Sequence, residues 1–531
     1  MEGVGKTPRE NSIASSPTDE AAQGLKKLGY DQELTRTRGL AHILFSEFMV
    51  YYGKPTSYRP AFGLAAPIAT SLIGGGPAVM VWGLAVVSVF CQTLAMSLAE
   101  ICSKYPTSAG AYYWSFRLAS PRYRLLCSWI NGWLTMVGVW TISLSVNFGT
   151  GQLVVAGAGI YHPEWVATPW QTYLIFLAVT AFATGFGIFF NNLLPTVDIL
   201  SAVWTLLGMI VMLICLSIKA AAGRHSASFA LGFFDPSSGW TAGWSFFIGL
   251  LPPAYTYAAI GMVASMCEEV REPSREVPLA LAWSIPIGFL TGLLFLLPVV
   301  FTLPDITMLL AVPGGQPIAV LLTAVMGSRG GGFGMVLFMI GIFCAISICC
   351  AASRATWSFA RDNAIPYPKF FAKINHGFLK GVPLNAYILS TLVQVFLGLI
   401  FLGSSTAFNA FVGVAVICLG ASYAMPVLLS VLDGRRQMKD APYNLGRFGY
   451  LINWLAVLWV LFEIVLFSMP AAVPVTAITM NYASVVFIGF AVISALWYMI
   501  NGRQHYSGPP IVQDDWMGKD SGCARTTRAE G

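Results

Sequence analysis

Apolar runs of about 20 residues recur along nearly the whole chain, and no other feature limits its fold as tightly. About 20 apolar residues in helical form cross a bilayer core. Only helices and closed barrels satisfy every backbone polar group there. Candidate spans lie at 76–98, 126–148, 169–190, 196–218, 243–266, 278–302, 331–353, 383–403, 407–431, 450–469 and 481–500. The chain is 56% apolar and 10% charged, against about 25% charged in soluble domains, which excludes a soluble globular protein. The chain reads as an all-α integral membrane protein.

A twelfth span is needed at 61–75, where FGLAAPIATSLIGGG is apolar but short and rich in Gly and Pro. Charge counting tests it. If this segment crosses and the N-terminus is cytoplasmic, the inner connections carry fifteen Lys and Arg and the outer ones three: Lys219, Arg224 and Arg329. That bias is what the positive-inside rule demands. The reading is twelve transmembrane helices with both termini cytoplasmic: a disordered tail over 1–42, a twelve-helix membrane domain over 43–500 and a second tail over 501–531. The net charge of +6 then reflects topology, with no nucleic acid as partner. Cysteines inside apolar runs, such as Cys91, Cys215, Cys349 and Cys350, lack metal spacing and read as small packing residues.

Two spans are irregular. Ahead of 61–75, residues 43–60 (ILFSEFMVYYGKPTSYRP) carry Glu47, Lys54 and Arg59, so only the second half of a normal first helix is visible. Either that helix has diverged or the translated gene model is in error. Residues 249–270 (GLLPPAYTYAAIGMVASMCEEV) place Pro252, Pro253 and Gly261 inside a span. The prolines remove two backbone donors, so mid-membrane amides and carbonyls are expected to lose their helical partners. A kinked packing helix is the plain alternative. The irregular spans stand five helices apart, as equivalent members of two inverted five-helix repeats do, and transporters use such discontinuous helices to hold substrate and ions at the midplane.

The runs SLAEICSKYPTSAGAYYWSFRLASPRY (97–123), GLLPPAYTYAAIGMVASMCEEVREPSREVP (249–278), SRATWSFARDNAIPYPKFFAKIN (353–375), GVPLNAYILS (381–390), SSTAFNAFVG (404–413) and PVTAITMNYASVV (474–486) occur in this order. Together they resemble the fungal amino acid and choline transporter family, a branch of the amino acid, polyamine and organocation superfamily, with choline and 4-aminobutyrate permeases closest in pattern. The resemblance implies a LeuT-like fold: a 5+5 inverted repeat plus two C-terminal helices, an atypical first helix, and a central site between helices one, three, six and eight. It also implies alternating-access uptake of a small amine or amino acid with a co-transported proton and no cofactor.

Candidate substrate-binding residues are Gly63, Pro253, Tyr255, Tyr257 and Gly261. The two tyrosines suit a cation, since an aromatic face attracts a desolvated cation by about 2 kcal/mol; packing is the other reading. Choline-type relatives carry an aspartate where this chain has Gly261, which points away from choline. Glu268 and Glu269 end the sixth helix beside Arg271, Glu272, Arg275 and Glu276. They are either an inner gate exchanging partners with Arg354 or Arg361, or a solvated helix-end cluster. Glu463 is the one acid deep in an uninterrupted span and Asp198 lies near Asn191 and Asn192; intramembrane acids are coupling candidates, with packing or capping as alternatives.

A membrane enzyme is disfavoured because His42, His162, His225, His376 and His505 are scattered through tails and connections. A nutrient sensor on the same scaffold and an exporter of a specialised metabolite, such as an alkaloid, remain as alternatives. The expected location is the plasma membrane, then the vacuolar membrane.

Overall fold

The computed structural model describes residues 17–33, 60–312, 316–375, 381–403, 407–476 and 480–510. Eleven helices among them are long and apolar enough to cross a membrane. Counting the segment at 60–75 as the first span, these are the second (Pro77–Lys104), third (Arg124–Tyr161), fourth (Pro169–Phe189), fifth (Asn191–Lys219) and sixth (Ala242–Glu269). The seventh (Pro273–Phe301), eighth (Arg329–Arg361), ninth (Leu384–Gly403), tenth (Phe408–Leu432), eleventh (Gly446–Leu466) and twelfth (Ala483–His505) follow. In the most apolar window of the sixth span 78% of residues are buried in protein, against 11% in the twelfth. The sixth is therefore the most enclosed of these spans and the twelfth the most exposed.

The first span forms two short helices, Pro60–Ala65 and Ile68–Gly75. Its end at Gly75 lies against the connection between spans five and six, where the Asp235 amide donates to the Gly75 carbonyl. Its start lies beside the middle of the sixth span, Gly63 facing Thr256. The described piece is thus the half of a first helix that the apolar pattern suggested. Glu47, Lys54 and Arg59 lie outside the described residues.

Spans one and six pack together, as do two and seven, and three and eight. Contacts of the third span with the fourth, ninth and tenth are matched by contacts of the eighth with the ninth, fourth and fifth. These pairings are preserved when each span is exchanged for the one five places on. Five crossings reverse direction, so the exchange is an inversion, the arrangement of an inverted-repeat transporter.

One face collects the N-terminal segment, the basic connections and the C-terminal segment; we call it the tail face. Within the segment read as disordered over 1–42, Pro17–Lys27 is helical and Leu25 and Tyr30 are buried. Composition undervalued this stretch because its order comes from docking onto the bundle: the Tyr113 hydroxyl donates to the Leu28 carbonyl at 3.1 Å. At the other end, helical structure runs past residue 500 to His505, and Tyr506 is buried with its hydroxyl 2.8 Å from Ser128 Oγ. The domain thus extends into the segment assigned to the second tail.

Candidate functional site

The sixth span is built in three pieces: an α-helix Ala242–Ile248, a second α-helix Leu251–Tyr257, and a 3₁₀ stretch Ile260–Glu269. The span is discontinuous as expected, with the Gly249 carbonyl, four residues before Pro253, left without a helical donor. Both prolines sit in the first turn of the second piece, where a missing N–H costs nothing because that amide has no intrahelical partner. The interruptions fall on either side, at Gly249–Leu250 and at Ala258–Ala259. In the first span the interruption is Ala66–Pro67, where proline cannot donate.

The two interrupted spans run antiparallel and each answers the other's exposed backbone. Ser71 Oγ donates to the Gly249 carbonyl at 2.7 Å, and Ser245 Oγ donates to the Gly74 carbonyl at 2.8 Å. Glycines allow the approach. A methyl group at Gly74 would stand 2.6 Å from Gly249 Cα, and one at Gly63 would stand 3.0 Å from Thr256 Cα. A third interruption, unforeseen from the sequence, divides the eighth span at Ile340–Gly341. Gly341 has room for no side chain there, because Thr150 of the third span and the Phe62 ring of the first press against it. Interruptions in spans one, six and eight thus converge beside the third.

At this junction the Tyr255 hydroxyl lies 2.8 Å from Ser145 Oγ of the third span. Tyr257, two residues on and so on the opposite face of the helix, turns instead to Ser88 of the second span, at 2.8 Å. The structure therefore separates the two tyrosines, and Tyr255 alone of the pair faces the third span. Pro253 is buried in the same piece. Gly261 lies against Tyr423 of the tenth span so closely that a Cβ would be 2.3 Å from its ring. A phenol ring fills the place into which a side chain at that position would project.

Below the junction the path is shut. Glu268 receives Arg361 in two hydrogen bonds, at 3.0 and 3.3 Å, and also accepts from Ser108 Oγ. Glu269 pairs with Arg354 at 2.8 Å, and Arg354 donates onward to Asn191 Oδ1 at 2.9 Å. Both carboxylates are buried, so the solvated-cluster reading fails. A third ion pair, Glu100 with Arg435 at 2.6 Å, joins the second span to the connection between spans ten and eleven. Sequence reasoning missed it, although Glu100 ends an apolar run where a solvated acid is unremarkable.

The space beside the interruptions is unequal, and a larger cleft of about 630 Å³ lies farther out on the tail face, between the N-terminal helix and Lys104, Glu272 and Arg275. Toward the tail face a void of about 20 Å³ beside Ser265, Ala355 and Tyr423 has room for about one water. Toward the opposite face a cavity of about 240 Å³ reaches Thr70, Ile73, Ile248 and Leu251, beside the interruptions.

Asp198 lies elsewhere, buried between the fifth and eighth spans and accepting from Ser347 Oγ at 3.0 Å. Glu463 is buried where the eleventh span meets the tenth, near Gly420. Neither joins the cluster of Glu268 and Glu269.

Residues 44–492 match the profile of a family described as amino acid permease. The chain belongs to the amino acid permease family. The match opens inside the polar stretch ahead of the first span. Relatives by sequence occur in fungi and plants. The amino-acid permease BAT1 of Arabidopsis thaliana is 32% identical over 517 residues, covering 92% of this chain and 96% of that protein. The choline transporter of Saccharomyces cerevisiae is 29% identical over 466 residues, covering 87% and 82%. The polyamine transporter TPO5 of the same yeast is 31% identical over 461 residues, covering 85% and 74%. This permease is therefore a multi-pass membrane transporter, and the resemblance noted from its motifs is met.

Proposed function

We propose that this permease takes up an amino acid by alternating access, driven by a co-transported proton, through the junction of spans one, three, six and eight. The observation that carries this reading is the convergence of three interrupted spans above a tail face sealed by ion pairs. Interrupted helices present both ends of the backbone dipole, amides for a carboxylate and carbonyls for an ammonium, which suits a zwitterion. A lone cation such as choline is held by a carboxylate or by a cage of aromatic rings, and here Tyr255 and Tyr257 turn to different neighbours. Two acids at the end of the sixth span are engaged with Arg361 and Arg354, and the Tyr423 ring crowds Gly261. Names of relatives keep choline and polyamines in the substrate panel.

Glu268 and Glu269 form the inner gate in this account, with Tyr255 and the backbone around Gly63, Pro253 and Gly261 at the substrate. Asp198 and Glu463 are the candidate proton carriers. The basic connections make the tail face cytoplasmic and the plasma membrane the place of work.

The test is uptake in a yeast lacking its own choline and amino-acid permeases, with labelled neutral and basic amino acids, 4-aminobutyrate, choline and a polyamine. Accumulation of an amino acid that collapses with a protonophore is expected. Choline-only uptake, or protonophore-insensitive uptake, overturns the substrate or the coupling respectively.

A further inference from the structure

The segment Leu25–Gln32 crosses the mouth of the tail face, and its contacts fall on the residues that must part if the gate is to open. Tyr30 is buried, and its ring centroid lies 4.1 Å from the Arg361 guanidinium carbon. The Trp357 ring lies 4.5 Å from that carbon, so two aromatic rings hold the guanidinium while its nitrogens reach Glu268. The Tyr30 hydroxyl donates to Asp362 Oδ2 at 2.8 Å, sharing that oxygen with Tyr112. Two residues on, Gln32 Nε2 donates to the Glu268 carbonyl at 2.9 Å. One short segment therefore grips the end of the sixth span and the end of the eighth at once. Gly29, at φ +91°, turns the chain just ahead of these contacts, where Pro510 of the C-terminal segment packs on it.

We propose that this segment is a latch on the inner gate and that Tyr30 is its positioning residue, holding Arg361 toward Glu268 until the segment lifts away. The inference rests on the reading of Glu268 and Arg361 as a gate. Separating spans six and eight with the latch seated would tear both Gln32 from Glu268 and Tyr30 from Asp362, so inward opening requires its release. The latch would thereby set the rate of opening without touching substrate.

The test uses the full chain in nanodiscs with Ala355→Cys as reporter, because Ala355 lines the small void behind the gate. Labelling by a polar maleimide is followed site by site by mass spectrometry, which separates the reporter from native thiols. Adding Tyr30→Ala is expected to speed labelling roughly tenfold or more, the equivalent of losing one desolvated cation–π contact. Tyr30→Phe keeps the ring on Arg361 and loses only the Asp362 bond, so a rise of about twofold to threefold is expected, near the lower end of a hydrogen bond's net worth. Glu268→Gln serves as the gate control. Unchanged labelling in Tyr30→Ala with faster labelling in Glu268→Gln would overturn the latch and leave the gate standing. Unchanged labelling in both would overturn the gate reading and the latch with it. Because Tyr30→Ala can fail to fold, hydrogen exchange of residues 25–32 is measured in the unaltered protein as well. Faster exchange during turnover with a transported amino acid is expected, and no change would overturn the proposal.

Discussion

At the scale of single residues the gate is a matter of buried charge. Removing one member of a buried ion pair strands its partner and costs roughly 3–5 kcal/mol, whereas replacing both costs far less. Glu269→Gln is therefore expected to lower the melting temperature and abolish uptake. Glu269→Gln with Arg354→Gln is expected to recover most of the melting temperature without recovering uptake; equal melting of the single and double variants would contradict a paired role. Asp362, just outside the eighth span, offers a pH test. Burial pushes its carboxyl from 3.8 up to about 6, against the opposing pull of Arg361 and of the Tyr30 and Tyr112 hydroxyls. The folded protein thus holds this proton more tightly than the unfolded chain. The stabilisation is complete below about pH 4 and is lost as pH rises through about 6. Melting temperature should fall from pH 4.5 to 6.5 relative to an Asp362→Asn variant, in which this component is absent. Glu268 and Glu269 were legible as gate candidates because two acids closing an apolar span are costly. Their partners were legible only as a choice between Arg354 and Arg361, because folding alone brings together residues 93 and 85 positions apart. Tyr257 stands apart from Tyr255 for a simpler reason: helical periodicity sets the two on opposite faces.

At the scale of elements the interruptions matter more than the helices. The approach of spans one and six depends on backbone meeting backbone, which cannot yield as a flexible side chain can. Gly74→Val is expected to cost at least the 1–3 kcal/mol typical of overpacking and to lower uptake strongly. Gly185→Ala, where an added Cβ meets nothing within 4 Å, serves as the neutral comparison. Melting curves and uptake in parallel check both. The long apolar spans were readable from composition because lipid leaves the backbone no alternative to helix. Position within an interrupted span was not readable in the same way. Pro252 and Pro253 announce irregularity, but proline is as much a helix starter as a helix breaker, and only the surrounding packing placed the interruptions beside them. In the eighth span a single Gly341 in an apolar run gave no comparable signal. The order of Pro17–Lys27 and its neighbours was hidden too, since a polar segment acquires structure here from a surface folded elsewhere in the chain.

At the scale of the whole molecule the account is one of asymmetry imposed on a symmetric frame. The main span pairings among the first ten spans are repeated by inversion, yet the approaches to the junction differ: a cavity of about 240 Å³ from one side, and buried ion pairs with a water-sized void from the other, the cleft of about 630 Å³ on the tail face lying outside them. An inverted repeat has a natural counterpart to this state, in which the halves exchange conformations and the tail face opens. The direct test is the distance between the ends of spans six and eight at that face. Spin labels at Ser274→Cys, exposed in the first turn of the seventh span just after the sixth, and at Lys369→Cys, exposed on the connection after the eighth, report it by pulsed electron resonance in nanodiscs. One short distance without substrate, joined by a longer population when a transported amino acid is added at low pH, is the predicted result. A single unchanged distance under every condition, in protein that still accumulates substrate in vesicles, would contradict gating at Glu268 and Glu269.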